Sequence, residues 1–209
     1  MKSLIEGLIR FSKEKKDSFL KKHPSLAEGQ APHTLFISCC DSRIVPHKMT
    51  SAEPGELFVV RNIGNIVPPH LKEEESSTPA AIEYAVLHLN VKNIIVCGHS
   101  ECGAMKAIHN EHFCDRAVGL NRWLKKAEVS DADLESDSSL SPENELSQKN
   151  VLQQLKHLEA YPCVKDAISE GTLSLKGWWL DLAKAEISQF VEEEKRFLPI
   201  VEENMEYFL

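Results

Sequence analysis

The sequence predicts an α/β protein built on a mainly parallel central β-sheet flanked by helices. Three observations carry this reading. HTLFISCC (33–40), ELFVVRN (56–62) and NIIVCGH (93–99) are short apolar runs rich in β-branched and aromatic residues. Their apolar positions are consecutive rather than alternate, as in strands covered on both faces. STPAAIEYAVLHLN (77–90), between the second and third runs, keeps apolar residues at helical spacing. Strand, strand, helix, strand is the order that crossover connections in a parallel sheet produce.

The elements follow in order along one domain spanning residues 1–209. Residues 1–29 read as an N-terminal helical arm, with Leu4, Ile5, Leu8, Ile9 and Phe11 forming an apolar stripe that must lie on something. A core over 30–190 begins after a polar connection containing Gly29 and Pro32. The helix at 77–90 is expected to take Ser77 or Thr78 as its N-cap, with Pro79 in its first turn. GHSECGA (98–104) leaves the third strand and enters another helix. SDADLESDSS (130–139) is acidic and serine-rich and reads as a solvated loop. Ser141-Pro142-Glu143 then starts a helix that runs through Val151, Leu152, Leu155 and Leu158 to Tyr161-Pro162. TLSLKGWWLDL and AEISQFV alternate like strands and predict a closing hairpin. The tail, 191–209, is amphipathic and packs either on a neighbour or on the sheet edge.

Charge and cysteine content narrow the function. A formal net charge of −8 disfavours nucleic acid and anionic membranes as partners. No run approaches the roughly 18 apolar residues of a membrane span. The first residues lack a continuous apolar segment and carry Glu6, Glu14 and Asp17, unlike a secretory or transit peptide, so the expected location is the cytoplasm. Cys39, Cys40, Cys97, Cys102, Cys114 and Cys163 form no small-scaffold disulfide pattern. A chain of 209 residues builds a core without staples, so reduced thiols or metal ligands are expected.

Two clusters stand out, each at the C-terminal end of an expected strand: Cys39-Cys40-Asp41-Ser42-Arg43, and His99-Ser100-Glu101-Cys102-Gly103 some sixty residues later. Ligand sites in open α/β sheets form outside those strand ends, so the clusters can converge. Adjacent cysteines rarely reach disulfide geometry. His99 and Cys102, joined by one cysteine from the first strand, make two thiolates and an imidazole, a donor set typical of catalytic zinc with an open fourth position. Either motif alone is weak; each has an ordinary packing explanation.

CCDSR followed by GHSECGA resembles the β-class carbonic anhydrases, as do PGELFVVRNIGNIVPP (54–69) and GTLSLKGWW (171–179). The similarity spans roughly residues 30–190. It implies the β-carbonic anhydrase fold and one Zn2+ per subunit, held by Cys39, His99 and Cys102. Cys40 is left as a small buried residue, and Cys97, Cys114 and Cys163 are read in the same way. The implied reaction is reversible hydration of carbon dioxide to bicarbonate and a proton, by attack of a zinc-bound hydroxide, release of bicarbonate by water and proton transfer to buffer. Two thiolates and a neutral imidazole cancel the charge of zinc, making it a poorer Lewis acid than a three-histidine site. Asp41 is expected to accept a hydrogen bond from the hydroxide. Arg43 is expected to keep Asp41 ionised and off the metal.

The resemblance also assigns a substrate pocket to Gln30, Phe58, Ile63 and Tyr84, with the Gly103 N–H helping to bind bicarbonate. It implies a homodimer or dimer of dimers with the site at the dimer interface. Phe36 and Leu180 replace the Trp and Tyr of a noncatalytic bicarbonate site found in some bacterial members, and Arg61 is read as an ordinary salt-bridge residue. With Ser100, these replacements point to the plant-like, open-site subclass. No proton shuttle is assigned; His47, His109 and His112 are expected at the surface. Rival readings are a zinc deaminase, whose Pro-Cys-x-x-Cys element fails at Asp166, and a cysteine phosphatase, whose arginine spacing fails. A structural zinc or thiol-redox module and a carbon disulfide hydrolase use the same ligands.

Overall fold

The structure, a computed structural model, describes residues 1–70, 76–111, 114–127, 129, 134–135 and 137–208. His112 and much of the acidic loop expected at 130–139 lie outside the described residues. The chain opens with α1 (Lys2–Arg10), a π-helical stretch (Phe11–Lys15) and α2 (Lys16–Lys22). β1 (Thr34–Cys39), α3 (Pro46–Thr50) and β2 (Leu57–Asn62) follow. Next come α4 (Ser77–Glu83), which continues as a second π-helical stretch (Tyr84–His88), and β3 (Asn93–His99). Then come α5 (Gly103–His109), α6 (Val118–Leu124), α7 (Pro142–Glu159) and α8 (Pro162–Ser169), before β4 (Ser174–Asp181), β5 (Glu186–Val191) and β6 (Arg196–Pro199).

The strands form one six-stranded sheet in the order β2-β1-β3-β4-β5-β6. β2, β1, β3 and β4 run parallel, and β5 and β6 are antiparallel additions. The mainly parallel sheet and the closing hairpin are therefore as the sequence predicts. The tail joins the sheet edge, where β6 pairs with β5 and the Phe190 and Phe197 rings meet at 5.5 Å. After β1 the chain turns to β2 on one side, whereas after β3 it proceeds to β4 on the other. The crevice between the ends of β1 and β3 is thus the switch point where an α/β sheet binds its ligand.

The strands are buried on both faces for different reasons. On one face, Leu35, Ile37, Ile94 and Val96 pack with Ile82, Val86, Val151, Leu158 and Tyr161 from the covering helices. On the other, a smaller cluster joins Phe36, Ile95 and Cys97 to Met49, Val59 and Trp178. α7 lies directly on the sheet because β3 and β4 each present a glycine there. A Cβ on Gly98 would stand 2.7 Å from Val151 Cγ2 and 3.3 Å from the Ser147 carbonyl oxygen, and one on Gly177 would stand 3.0 Å from Val151 Cγ1. Overpacking of this kind costs about 1–3 kcal/mol, which for a chain of this size lowers Tm by roughly 2–12 °C. Gly98→Ala is expected to show that loss in a thermal melt, and an unchanged Tm would refute the close approach.

Two local expectations are corrected. The helix at 77 takes Ser76 as its N-cap, not Ser77 or Thr78, and the Ser76 hydroxyl makes no capping bond. Thr78 is instead buried, with its hydroxyl accepting from Asn62 Nδ2 at 3.3 Å. The N-terminal arm is helical as expected, but no residue of α1 or α2 is buried, and Leu4 and Leu8 are 68% and 70% exposed. Lys22 and His23 tie its end to Glu53. Among the described residues, no helix is long and apolar enough to cross a membrane.

Candidate metal centre

β1 ends at Cys39 and β3 ends at His99, and the two strands are paired neighbours. Cys102 is the residue before α5, so a two-residue turn separates it from His99. Glu101 in that turn has φ +58, an uncommon left-handed conformation for a residue with a side chain. The turn is held from outside: Glu101 N–H donates to Asn144 Oδ1 at 2.8 Å, and the Glu101 carboxylate pairs with Lys106. The result is that Cys39 Sγ, a His99 ring nitrogen and Cys102 Sγ lie within 4.8 Å of one another, all buried.

The donor set fits a tetrahedral metal. His99 Nδ1 lies 2.8 Å from the Ser100 carbonyl oxygen. A carbonyl only accepts, so Nδ1 carries the proton and Nε2 presents a bare lone pair. That Nε2 is buried and has no hydrogen-bond partner. An orphaned buried acceptor facing two thiols is costly unless something binds there. Zinc bond lengths and a tetrahedral angle separate such donors by about 3.5–3.8 Å, within the observed spread. Ile66, Ala104, Met105 and Leu124 pack around the two thiols and exclude water.

The thiols share a proton unequally. Cys39 is driven down, first because the Cys102 thiol donates to it. Burial opposes this, while the Gly64 N–H, 3.4 Å from Cys39 Sγ, assists. Cys102 is pushed up, by its role as donor to Cys39 and by burial. The two sulfurs thus hold a proton between them that a metal must displace.

Asp41 and Arg43 form the paired charge the sequence suggests. Arg43 Nε donates to Asp41 Oδ1 at 2.9 Å and Nη2 donates to Oδ2 at 2.6 Å; the Arg43 backbone N–H adds a third bond to Oδ1 at 3.0 Å. The guanidinium holds the Asp41 carboxyl well below the usual carboxylate range. Arg43 Nη2 also donates to the Glu101 carbonyl at 3.2 Å, tying the first motif to the second.

Arg61 departs from its expected role. Among the described residues it makes no salt bridge; Nε donates to the Cys39 carbonyl at 3.0 Å and Nη2 to the Asp41 carbonyl at 2.6 Å, so it braces the segment bearing both residues. Its register opposite Ser38 puts it within reach, a relation that sequence separation hides. Cys40 is exposed rather than buried, because β1 ends at Cys39 and the chain turns outward; Cys114 is also exposed and Cys163 half-buried. Cys97 is buried as expected. Phe36 and Leu180 are buried, Phe36 edge-on to Trp178 at 5.9 Å. His109 is exposed and His47 half-buried.

The expected pocket residues divide into two groups. Ile63 precedes Gly64, which touches Cys39 Sγ, and Gly103 opens α5 with open space at its α-carbon. Phe58 and Tyr84 instead pair with each other, ring centres 5.9 Å apart. Phe58 stands opposite Leu35, four residues before the Cys39–Asn62 pair, about 13 Å along the strand. Tyr84 is 44% exposed, and Gln30 is exposed in the segment before β1. Ile63 and Gly103 are thus each next in sequence to a residue at the thiols, whereas Gln30 and Tyr84 lie exposed elsewhere and Phe58 packs half-buried on the main core.

Known proteins resemble this chain in sequence and fold. The carbonic anhydrase family model matches residues 34–187. A carbonic anhydrase of Pseudomonas aeruginosa is 40% identical over 205 residues, covering 97% of this chain and 93% of that protein. The solved β-carbonic anhydrase CcaA is 37% identical with a TM-score of 0.86, over 96% of this chain and 92% of that one. One of two tetrameric β-carbonic anhydrases from the ascomycete Sordaria macrospora is 30% identical with a TM-score of 0.73, over 90% and 97%. A match over the whole parallel core, with the strand ends carrying Cys39, His99 and Cys102 inside it, makes this chain a member of the β-carbonic anhydrase family.

Proposed function

We propose that the protein interconverts carbon dioxide and bicarbonate, releasing a proton, with one zinc ion per subunit held by Cys39, His99 and Cys102. The observation that carries this reading is the bare, buried His99 Nε2 facing two thiols. Zinc in such a set supplies a nucleophile by acidifying water. Asp41, fixed by three bonds from Arg43, offers a carboxylate acceptor that orients the nucleophile, and Arg43 holds that carboxylate off the metal. This pairing supports the open-site subclass. Ile63 lines an apolar approach suited to carbon dioxide, and the Gly103 N–H helps to bind bicarbonate.

Gln30, Phe58 and Tyr84 complete the pocket from a second copy of the chain, since within one chain they lie apart from the thiols. The uncovered stripe of α1 supports a homodimer or dimer of dimers. The protein works in the cytoplasm as a single domain with an arm over 1–29, a core over 30–190 and a tail over 191–209.

The test is stopped-flow carbon dioxide hydration of the purified protein alongside its zinc content. Hydration is expected to vanish on chelation, return with zinc, and rise toward alkaline pH. Zinc retained with no hydration at any pH would make the site structural and overturn the proposal.

A further inference from the structure

α7 carries a polar stripe where a helix packed on a sheet ordinarily carries apolar residues. Ser147, Gln148, Asn150, Gln154 and His157 are buried, with Asn150 and Gln154 at 0% exposure. Several of these side chains grip main-chain atoms of the loops around the thiols. Asn144 accepts from Glu101 N–H, and Ser147 Oγ donates to the His99 carbonyl at 2.9 Å. Asn150 Nδ2 donates to the Gly64 carbonyl at 3.0 Å; Gln154 Oε1 accepts from Val67 N–H at 2.9 Å. Two loops distant in sequence are thus indexed against one rigid helix.

Asn150 is the member with the shortest route to a sulfur. Gln154 Nε2 donates to Asn150 Oδ1 at 2.9 Å, which fixes the amide with its donor toward Gly64. Gly64 has φ +77, and a Cβ there would meet Ala104 Cβ at 3.0 Å, so only glycine fits without strain. In that conformation its N–H points at Cys39 Sγ, 3.4 Å away. An N–H bonded to a thiolate withdraws electron density from sulfur. It thereby weakens sulfur as a donor and leaves the metal more acidic. A site whose two thiolates already cancel the metal's charge gains most from such withdrawal, and partners behind a ligand commonly tune it in this way.

We propose that Asn150 is a positioning residue of the metal centre: it holds Gly64 so that the Gly64 amide bonds the Cys39 thiolate and tunes its donation. This rests on the reading of Cys39 as a metal ligand. The test uses full-length protein loaded with cobalt(II). Wild type is expected to show a sulfur-to-cobalt charge-transfer band, and its absence would overturn the ligand reading itself. Given that band, Asn150→Ala is expected to shift it to longer wavelength and, because the unbonded thiolate is the stronger donor, to slow metal release to a chelator.

Tyr161→Phe is the control, because it removes the 2.8 Å bond to the Pro68 carbonyl without touching Gly64. It is expected to lower Tm and leave band and release rate as in wild type. An unmoved band and release rate in Asn150→Ala, or equal shifts in Tyr161→Phe, would overturn the positioning role. Cadmium-113-loaded wild type adds a measurement that needs no variant: the Gly64 amide proton should couple to the metal through Cys39 sulfur, and no coupling would sink the proposal.

Discussion

Arg43→Ala is expected to lower carbon dioxide hydration by roughly 10²–10³-fold while zinc remains bound, a loss of the size seen when one preorganised electrostatic group is removed. The reason lies in what Asp41 keeps and loses. Two of its three bonds, at 2.9 and 2.6 Å, come from the guanidinium, and only the backbone N–H of residue 43 survives the change. Released, the carboxylate sits two residues from Cys39 at the mouth of the cluster, and carboxylate oxygen is itself a good zinc ligand. It can then occupy the position that substrate chemistry requires. Its proton affinity returns toward the ordinary carboxylate value, because Arg43 is the principal cause of the depression. Arg43→Lys is expected to recover only part of the rate, since a point charge cannot bind both oxygens. Stopped-flow rates with zinc content measured on the same samples decide it; full activity in Arg43→Ala would end this account of the pair.

The sequence and the structure agree where chemistry is carried by residue type at strand ends. Cys39, His99 and Cys102 can be found because thiol and imidazole are rare and the strands carrying them are strongly apolar. Asp41 and Arg43 follow from their proximity to Cys39. What escaped the sequence is the bracing. α7 is legible through Val151, Leu152, Leu155 and Leu158, but nothing in the sequence singles out Asn144, Ser147 and Asn150. Their meaning depends on loops forty or more residues away, which only the tertiary structure brings to them. Arg61 looked like an ion-pair residue because a charged side chain on a strand suggests a carboxylate partner. Its actual partners are the carbonyls of Cys39 and Asp41, one strand over. Cys40 looked like packing because it ends an apolar run, yet the strand stops one residue earlier. Gln30, Phe58 and Tyr84 illustrate a different limit: one chain holds them apart from the thiols, a separation that their place in the sequence does not reveal.

His99→Ala is expected to abolish zinc retention and reduce hydration to the uncatalysed rate. Removing the imidazole leaves only Cys39 and Cys102, and two thiolates make an incomplete set for tetrahedral zinc. The thiols then retain the proton they share. In wild type, binding zinc must displace that proton, so zinc affinity should rise with pH and metal should be lost most easily in acid. The fold should survive the substitution. The side chain's hydrogen bond, from Nδ1 to the Ser100 carbonyl, contributes on the order of 1 kcal/mol. The turn keeps its other supports, with Ser147 on the His99 carbonyl and Asn144 on the Glu101 N–H. The measurement pairs metal analysis after dialysis with circular dichroism and hydration rates. A folded His99→Ala protein that kept one zinc per subunit and hydrated carbon dioxide would remove His99 from the metal centre and, with it, the geometry on which the assignment stands.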